Sequence, residues 1–209
     1  MTRLIIWRHG NTDWNATDRV QGQTDVPLND LGRDQAAGAA PLLAALRPDA
    51  LVASDLRRAA DTAAALAAVT GLPVGTDPRL RERHFGLWQG LPREEAATRF
   101  PTEYARWRAG DPDPGCQIEP LDDLGKRVAE GLQAAADAVP GGTVVVATHG
   151  GAARQGAGHL LGWDPAALRT IGVLHTCHWL ALRHTTARGW QLRAYNVGPL
   201  TAGTAVEAL

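Results

Sequence analysis

The sequence predicts an α/β fold in which a mostly parallel sheet is covered by helices. Two observations carry that prediction. Short apolar runs alternate along the chain with alanine-rich stretches of helical periodicity, the pattern of a sheet whose crossovers are helices. The runs "RLIIW" (3–7), "ALVAS" (50–54) and "TVVVAT" (143–148) are also continuous rather than alternating, as strands buried on both faces should be. A chain of 209 residues with 44% hydrophobic content can bury a sizeable core, so a single domain over 1–209 is expected.

The three runs are the expected central strands. After the first, Leu31, Ala36, Ala39, Leu42, Leu43 and Leu46 recur near helical spacing behind Asn29 or Asp30, either of which can cap a helix start. Arg57 to Val69 repeats the pattern, with Ser54 or Asp55 as candidate cap and Gly71 as stop. A third helix is expected from about Leu121 to Ala138, ended by "PGG", and a fourth from near Gly151 to Leu161. "CHWLALRH" (177–184) and "WQLRAYNV" (190–197) flank the turn "TTARG" and read as an antiparallel pair. The segment of about 87–120 breaks the rhythm with at most two short helices. Such a long connection reads as a lid-like insertion, where substrate choice should lie.

Composition removes several classes of function. A net charge of −1 supplies no global field for nucleic acid or an anionic membrane, and no apolar run is long enough to cross a bilayer. The N-terminal "MTRLIIW" lacks the pattern of a secretion signal, which leaves the cytoplasm as the expected location. Cys116 and Cys177 are too few and too far apart for a disulfide framework or a metal knuckle. Lys126 is the only lysine, and arginine carries all other basic charge, which suits bidentate phosphate binding.

Ligands of such sheets bind beyond the carboxyl ends of the strands. "RHG" follows the first strand, "SDLRRA" the second and "THGG" the third, so all three meet at one end of the sheet. Arg8 and Arg58 bring forked donors, the helix starts near Arg58 and Gly151 bring backbone N–H groups, and Gly10 and Gly150 allow close approach. That set suits a phosphoryl group. Beside the arginines His9 is disfavoured in its charged form, so its ring nitrogen is available as a nucleophile. Metal ligation by His9 and His149 competes with this reading, but no carboxylate stands at ligand-like spacing and the arginines would repel a cation. Neither a metal nor another cofactor is therefore expected. Arg57 should face solvent and pair with Asp61 one turn on, leaving Arg58 for the site. His159, His175, His178 and His184 are expected to be packed or exposed, as are most of the tryptophans, although Trp14, Trp88 and Trp107 could line a wall.

"LIIWRHGNTDWN", "SDLRRAADTA", "RLRERHFGLWQG" and "VVVATHGG" resemble, in order and spacing, the four signatures of the histidine phosphatase superfamily, the phosphoglycerate mutase-like proteins. The resemblance covers Leu4 to about Val197. It implies a three-layer α/β/α sandwich and metal-free phosphoryl chemistry through a phosphohistidine. Carried over, His9 matches the phosphorylated histidine, Arg8, Arg58 and His149 match the groups that hold the phosphate, and Glu82 matches the proton donor. Asn15 and Gly22 stand where relatives often place a side chain and a backbone amide near the phosphate, with Gln21 a lesser candidate beside them; Asn15 serves equally well as a turn residue bonding its own loop.

Arg83, Arg93 and Arg108 could grip a substrate carboxylate, as a mutase requires, yet Arg108 is followed by Ala109 where mutases carry a second arginine. The phosphatase branch is therefore favoured, and "VQGQTD" with "HFGLWQG" resembles the glucosyl-3-phosphoglycerate phosphatases of actinobacteria. A small phosphorylated metabolite, of sugar or glycerate type, is the expected partner. A mutase and a catalytically silent phospho-ligand or protein-binding module remain as alternatives. The apolar "CHWLAL" could form the edge of a homodimer.

Overall fold

Each of the central strands has two apolar faces, and each face has its own helical cover. In the computed structural model, which describes residues 1–199, β1 (Thr2–Arg8) sends Leu4 and Ile6 to one side and Ile5 and Trp7 to the other. β4 (Thr143–Thr148) does the same with Val144 and Val146 against Val145 and Ala147. The first side packs on α6 (Leu121–Asp137) and α7 (Gly150–Leu161), the second on α2 (Asp30–Ala44) and α3 (Arg57–Thr70). The three-layer sandwich follows from that division.

The sheet has six strands in the order β3-β2-β4-β1-β5-β6, with β2 at Ala50–Ala53, β3 at Val74–Thr76, β5 at Trp179–Thr185 and β6 at Gly189–Val197. β3, β2, β4 and β1 run parallel, and β5 and β6 are antiparallel additions. The carboxyl ends of β1, β2 and β4 therefore lie together. Asn29 caps α2 through a 2.9 Å bond from the Gly32 N–H, and Gly71 ends α3 in the left-handed region.

Several sequence expectations are corrected. β3 was not anticipated, because three residues with a central glycine carry no strand pattern. Neither Ser54 nor Asp55 caps α3; its N-cap is Leu56, without a side-chain bond, and Asp55 instead pairs with Arg81. Arg57 is exposed as expected, but no Arg57–Asp61 ion pair forms among the described residues; the Arg57 backbone N–H donates to Asp25 at 2.7 Å. β5 lies between β1 and β6, so "CHWLAL" is an interior strand and not a dimer edge. A short helix α8 (Pro165–Arg169) also escaped the pattern.

The insertion holds short helices α4 (Arg93–Arg99) and α5 (Pro101–Arg108), and α1 (Asp13–Ala16) precedes α2. It builds an apolar cluster of its own, in which Val20, Trp88, Ala96 and Ile118 are buried beneath Phe85, Phe100, Tyr104 and Trp107. Trp88 is thus a core residue. No helix of the described residues is long and apolar enough to cross a membrane.

Leu132 of α6 is fully buried between the sheet and α7. Leu132→Ala is expected to lower unfolding free energy by about 2–5 kcal/mol, read from urea denaturation followed by circular dichroism.

Candidate active site

At the end of β1 the chain leaves the sheet through His9, whose N–H donates to Thr148 O at 2.9 Å and thereby ties the β1 exit to the β4 exit. The next turn is tight: a Cβ on Gly10 would come within 2.3 Å of the Gly32 carbonyl oxygen, and only glycine fits. His9 Nδ1 lies 2.7 Å from the Gly10 carbonyl. A carbonyl only accepts, so Nδ1 carries the hydrogen and Nε2 keeps its lone pair.

Arg58 enters from the first turn of α3 and is fully buried. Its Nη1 donates to Thr24 O at 2.8 Å, its Nη2 to Gly22 O at 2.7 Å, and its Nε to His149 Nδ1 at 3.2 Å. His149, at the N-cap of α7, therefore holds its hydrogen on Nε2, 2.9 Å from Ser54 Oγ. The His9 and His149 rings meet edge to face with centroids 5.1 Å apart. Burial, then the charges of Arg58 and Arg8, push His9 well below the usual imidazole range; burial and Arg58 do the same to His149. Burial also brings Arg58 down to about 10, which leaves it charged at neutral pH. Half-buried Arg8 donates through Nη1 to Leu174 O, and its buried Nε has no protein partner.

Glu82 faces these cations from the loop before the insertion. Its carboxylate accepts the Gly151 N–H at 2.9 Å, the Ala152 N–H at 2.9 Å and the Arg83 N–H at 2.8 Å. The start of α7 is thus occupied by a carboxylate, as the helix dipole favours. A Cβ on Gly151 would reach within 2.6 Å of Glu82 Oε1, so the glycine makes this seat.

Arg8, His9, Asn15, Gln21, Gly22, Arg58, Glu82, Arg83 and Gly150 all line one cavity of about 440 Å³. His9, two arginines and a carboxylate around an opening of this size, with His149 behind Arg58, can receive a phosphoryl group and offer it a neutral imidazole nitrogen. Residues 4–198 match the family model described as "Histidine phosphatase superfamily (branch 1)".

The chain belongs to the histidine phosphatase superfamily. A member from Mycolicibacterium vanbaalenii, glucosyl-3-phosphoglycerate phosphatase, is 37% identical over 217 residues, covering 96% of this chain and 96% of the relative. The metal-independent phosphoserine phosphatase of Arabidopsis thaliana is 39% identical over 159 residues, covering 74% of this chain and 66% of the relative. Among solved structures of the superfamily, a mycobacterial glucosyl-3-phosphoglycerate phosphatase in complex with VO3 superposes with a TM-score of 0.87 at 35% identity. It covers 94% of this chain and 99% of that one.

Not every residue picked from the sequence presents itself as expected. Both ring nitrogens of His149 are taken by Arg58 and Ser54, so it holds those two side chains and does not line the opening. The helix-start N–H groups are largely used, by Glu82 on α7 and by Asp25 on α3. Asn15 bonds its own loop through a capping box with Thr12 and also lines the cavity. Arg83 spends Nε on Glu119 O at 2.6 Å and Nη2 on Pro112 O at 2.9 Å, and so pins the insertion.

Arg127, Glu119 and Ser54 were missed. Arg127 bonds the carbonyls of Arg79, Arg81 and Glu82 at 2.9, 2.7 and 2.8 Å while pairing with Glu119 at 2.6 Å. Glu119 in turn accepts the His84 N–H at 3.0 Å. The clamp brackets the loop that carries Glu82. Its only trace in the sequence is an acid and a base eight positions apart across a helix start, which no local rule singles out.

Two outcomes are expected from this geometry. Arg127→Met should lower kcat on p-nitrophenyl phosphate by about 10–100-fold with a smaller change in KM, since a displaced catalytic group costs that much, and Arg127→Lys should restore it only in part. In the unfolded chain His9 and His149 bind protons below about 6.5, whereas in the folded chain they resist doing so. Stability is therefore present above that pH and lost below it, by up to about 1.4 kcal/mol per pH unit for each histidine. Urea midpoints at pH 7.5 and 5.5 should show the fall, and His9→Asn should reduce it.

Proposed function

We propose that this histidine phosphatase hydrolyses small phosphomonoesters of sugar or glycerate type through a phosphohistidine on His9. The observation that carries this reading is the neutral His9 with its Nδ1–H committed to Gly10, which directs the Nε2 lone pair to chemistry beside two charged arginines. The relatives named above, phosphatases for glucosyl-3-phosphoglycerate and for phosphoserine, support it.

The reaction has two steps. Nε2 of His9 attacks phosphorus in line, the N–P bond forming as the ester P–O bond breaks. Arg8 and Arg58 neutralise charge on the equatorial oxygens, while Glu82, entering the step as the carboxylic acid, gives its proton to the leaving oxygen and becomes the carboxylate. Water then attacks the phosphohistidine, Glu82 takes its proton, and the N–P bond breaks to return neutral His9 and free phosphate. His149 and Ser54 keep Arg58 in register, and Asn15, Gln21 and Gly22 complete the wall around the phosphoryl group. No metal is assigned a step. Among the described residues no group of three or more His, Cys, Asp or Glu side chains is arranged to hold one.

The test is phosphate release, in the presence of EDTA, from p-nitrophenyl phosphate, glucosyl-3-phosphoglycerate, 3-phosphoglycerate and common sugar phosphates. Release is expected, with His9→Ala slower by about 10⁴-fold or more. An acid-labile phosphate on His9 should be trapped by rapid quench and mass spectrometry. Isomerisation of 3-phosphoglycerate without release would establish a mutase, and neither outcome would leave a binding module.

A further inference from the structure

The loop that clasps Arg58 is itself held from outside the cavity. Gly22 and Thr24, whose carbonyls accept Nη2 and Nη1 of Arg58 at 2.7 and 2.8 Å, flank Gln23, which does not line the 440 Å³ cavity. The Gln23 N–H donates to Gln89 Oε1 at 2.7 Å, and its side-chain Nε2 donates to Glu82 O at 3.1 Å. Gln89 Oε1 also accepts the Phe85 N–H at 3.3 Å. One carboxamide oxygen thus ties the loop that holds Arg58 to the loop that carries Glu82.

The contact is close enough to dictate the residue opposite. Gly22 stands at φ 54°, and a Cβ there would lie 2.2 Å from Gln89 Oε1, so only glycine can face it. Gln89 is placed in turn by the short helical turn Gly86–Trp88 that it ends, whose Trp88 is buried in the insertion's cluster. On either side of the carboxamide, backbone bonds keep the two segments in register: the Gly90 N–H donates to Val20 O at 2.9 Å, and the Val20 N–H to Leu91 O at 2.9 Å.

The partners also settle which end of the amide does the holding. Two backbone N–H groups need an acceptor, so the oxygen faces them and Gln89 Nε2 turns to the His84 ring, 3.3 Å from its Nε2. His84 Nδ1 accepts the Gly86 N–H at 3.1 Å, so the ring carries its hydrogen on Nε2, and two donors meet there. The oxygen is the working end of Gln89, and the nitrogen contributes little.

Arg58 gives the contact its consequence. Its guanidinium is fully buried, and the planar fork is oriented by Gly22 O, Thr24 O and His149. If the loop of Gly22 and Thr24 moves, the acceptors of Arg58 move with it, and a misplacement of about 1 Å in a reacting site costs about 10²-fold. We infer that Gln89 is a positioning residue for the phosphoryl transfer: its carboxamide oxygen, by holding the Gln23 N–H, fixes the loop whose carbonyls aim Arg58 at the phosphoryl group. The inference rests on the phosphatase reading above and adds to it a residue that does not line the cavity.

The experiment measures kcat/KM on p-nitrophenyl phosphate and on glycerol 2-phosphate, whose leaving oxygens differ in basicity, for the parent, Gln89→Met, Gln89→Asn and Gln89→Glu. Methionine keeps the length without the acceptor, asparagine keeps the carboxamide one methylene short, and glutamate keeps the acceptor and offers a second oxygen to His84 Nε2–H. The methionine and asparagine variants should lose about tenfold or more, by the same factor on both substrates, and the glutamate variant should recover to within about threefold of the parent. In an Arg58→Lys background, whose ammonium lacks the planar fork, Gln89→Asn should cost less than about threefold further, because a tie that acts through Arg58 has nothing left to orient. A full second loss of about tenfold there overturns the route through Arg58. So does a loss that grows with the basicity of the leaving oxygen, which would place the effect on Glu82. Activity of the asparagine variant within about threefold of the parent, or an equal loss in the glutamate variant, overturns the role of the oxygen. The asparagine variant decides if circular dichroism shows the methionine variant unfolded. If His9-dependent hydrolysis is present and the Gln89 variants leave it unaffected, the positioning role is wrong and the phosphatase stands. If no substrate releases phosphate, the phosphatase reading falls and the positioning role falls with it.

Discussion

A fully buried guanidinium without a carboxylate partner among the described residues is the constraint on which the site depends. Arg58 is surrounded by the carbonyls of Gly22 and Thr24 and by a ring nitrogen of His149, all of them neutral acceptors. Taking such a charge out of water is expensive, and neutral dipoles recover only part of the cost. An anion is what would recover the rest. Burial first and the same positive field second keep His149 and His9 neutral, because a second buried charge beside Arg58 would add to the penalty. His9, the nucleophile of the proposed reaction, is therefore prepared by its surroundings and needs no base to deprotonate it.

Geometry follows from the sheet. Alternate residues of β1 and β4 are consumed by the two cores, so neither strand has freedom to rotate or slip without exposing one set. Their exits are thus fixed, and the His9 N–H to Thr148 O bond joins them at the point where the chemistry begins. Glu82 comes from elsewhere, on a loop with no sheet pairing of its own, and its position is set instead by α7 backbone N–H groups on one side and the Arg127–Glu119 clamp on the other.

That contrast explains what the sequence made legible. The strand-end motifs, the helices that cover the sheet and the meeting of Arg8, His9, Arg58 and His149 at one end of it could be read, because continuous apolar runs and short charged turns are local signals, whereas Glu82 was brought in by the family resemblance. β3 could not be read, since its pairing with β2 comes from the position of the neighbouring strand and not from its own three residues. The same holds for Ser54, which looked like a helix cap and instead bonds His149 from the exit of the adjacent strand, and for Arg127, whose carbonyl partners lie about 45 residues away. Long-range hydrogen bonds leave no period in a sequence. The edge expectation for "CHWLAL" failed for a related reason: an apolar strand is as suited to the interior as to an interface, and only the partner order decides.

The insertion divides the labour of the cavity. Its cluster around Trp88, Ala96 and Ile118 is separate from both sheet cores but takes in Val20, next to Gln21 and Gly22 of the phosphoryl wall, and Arg93 pairs with Asp18 two residues before Val20, so the insertion is packed against that wall. Arg83 is the junction, backbone-bonded to Glu82 and side-chain-bonded to the insertion at Pro112 and Glu119. One wall can then change its side chains to suit a leaving group while the strand exits that carry Arg8 and His9 keep their geometry, because those exits are fixed by the sheet cores and not by the insertion's cluster. An α/β scaffold with anion-binding residues at its strand ends and an insertion with an apolar cluster beside them can serve many phosphomonoesters with one mechanism.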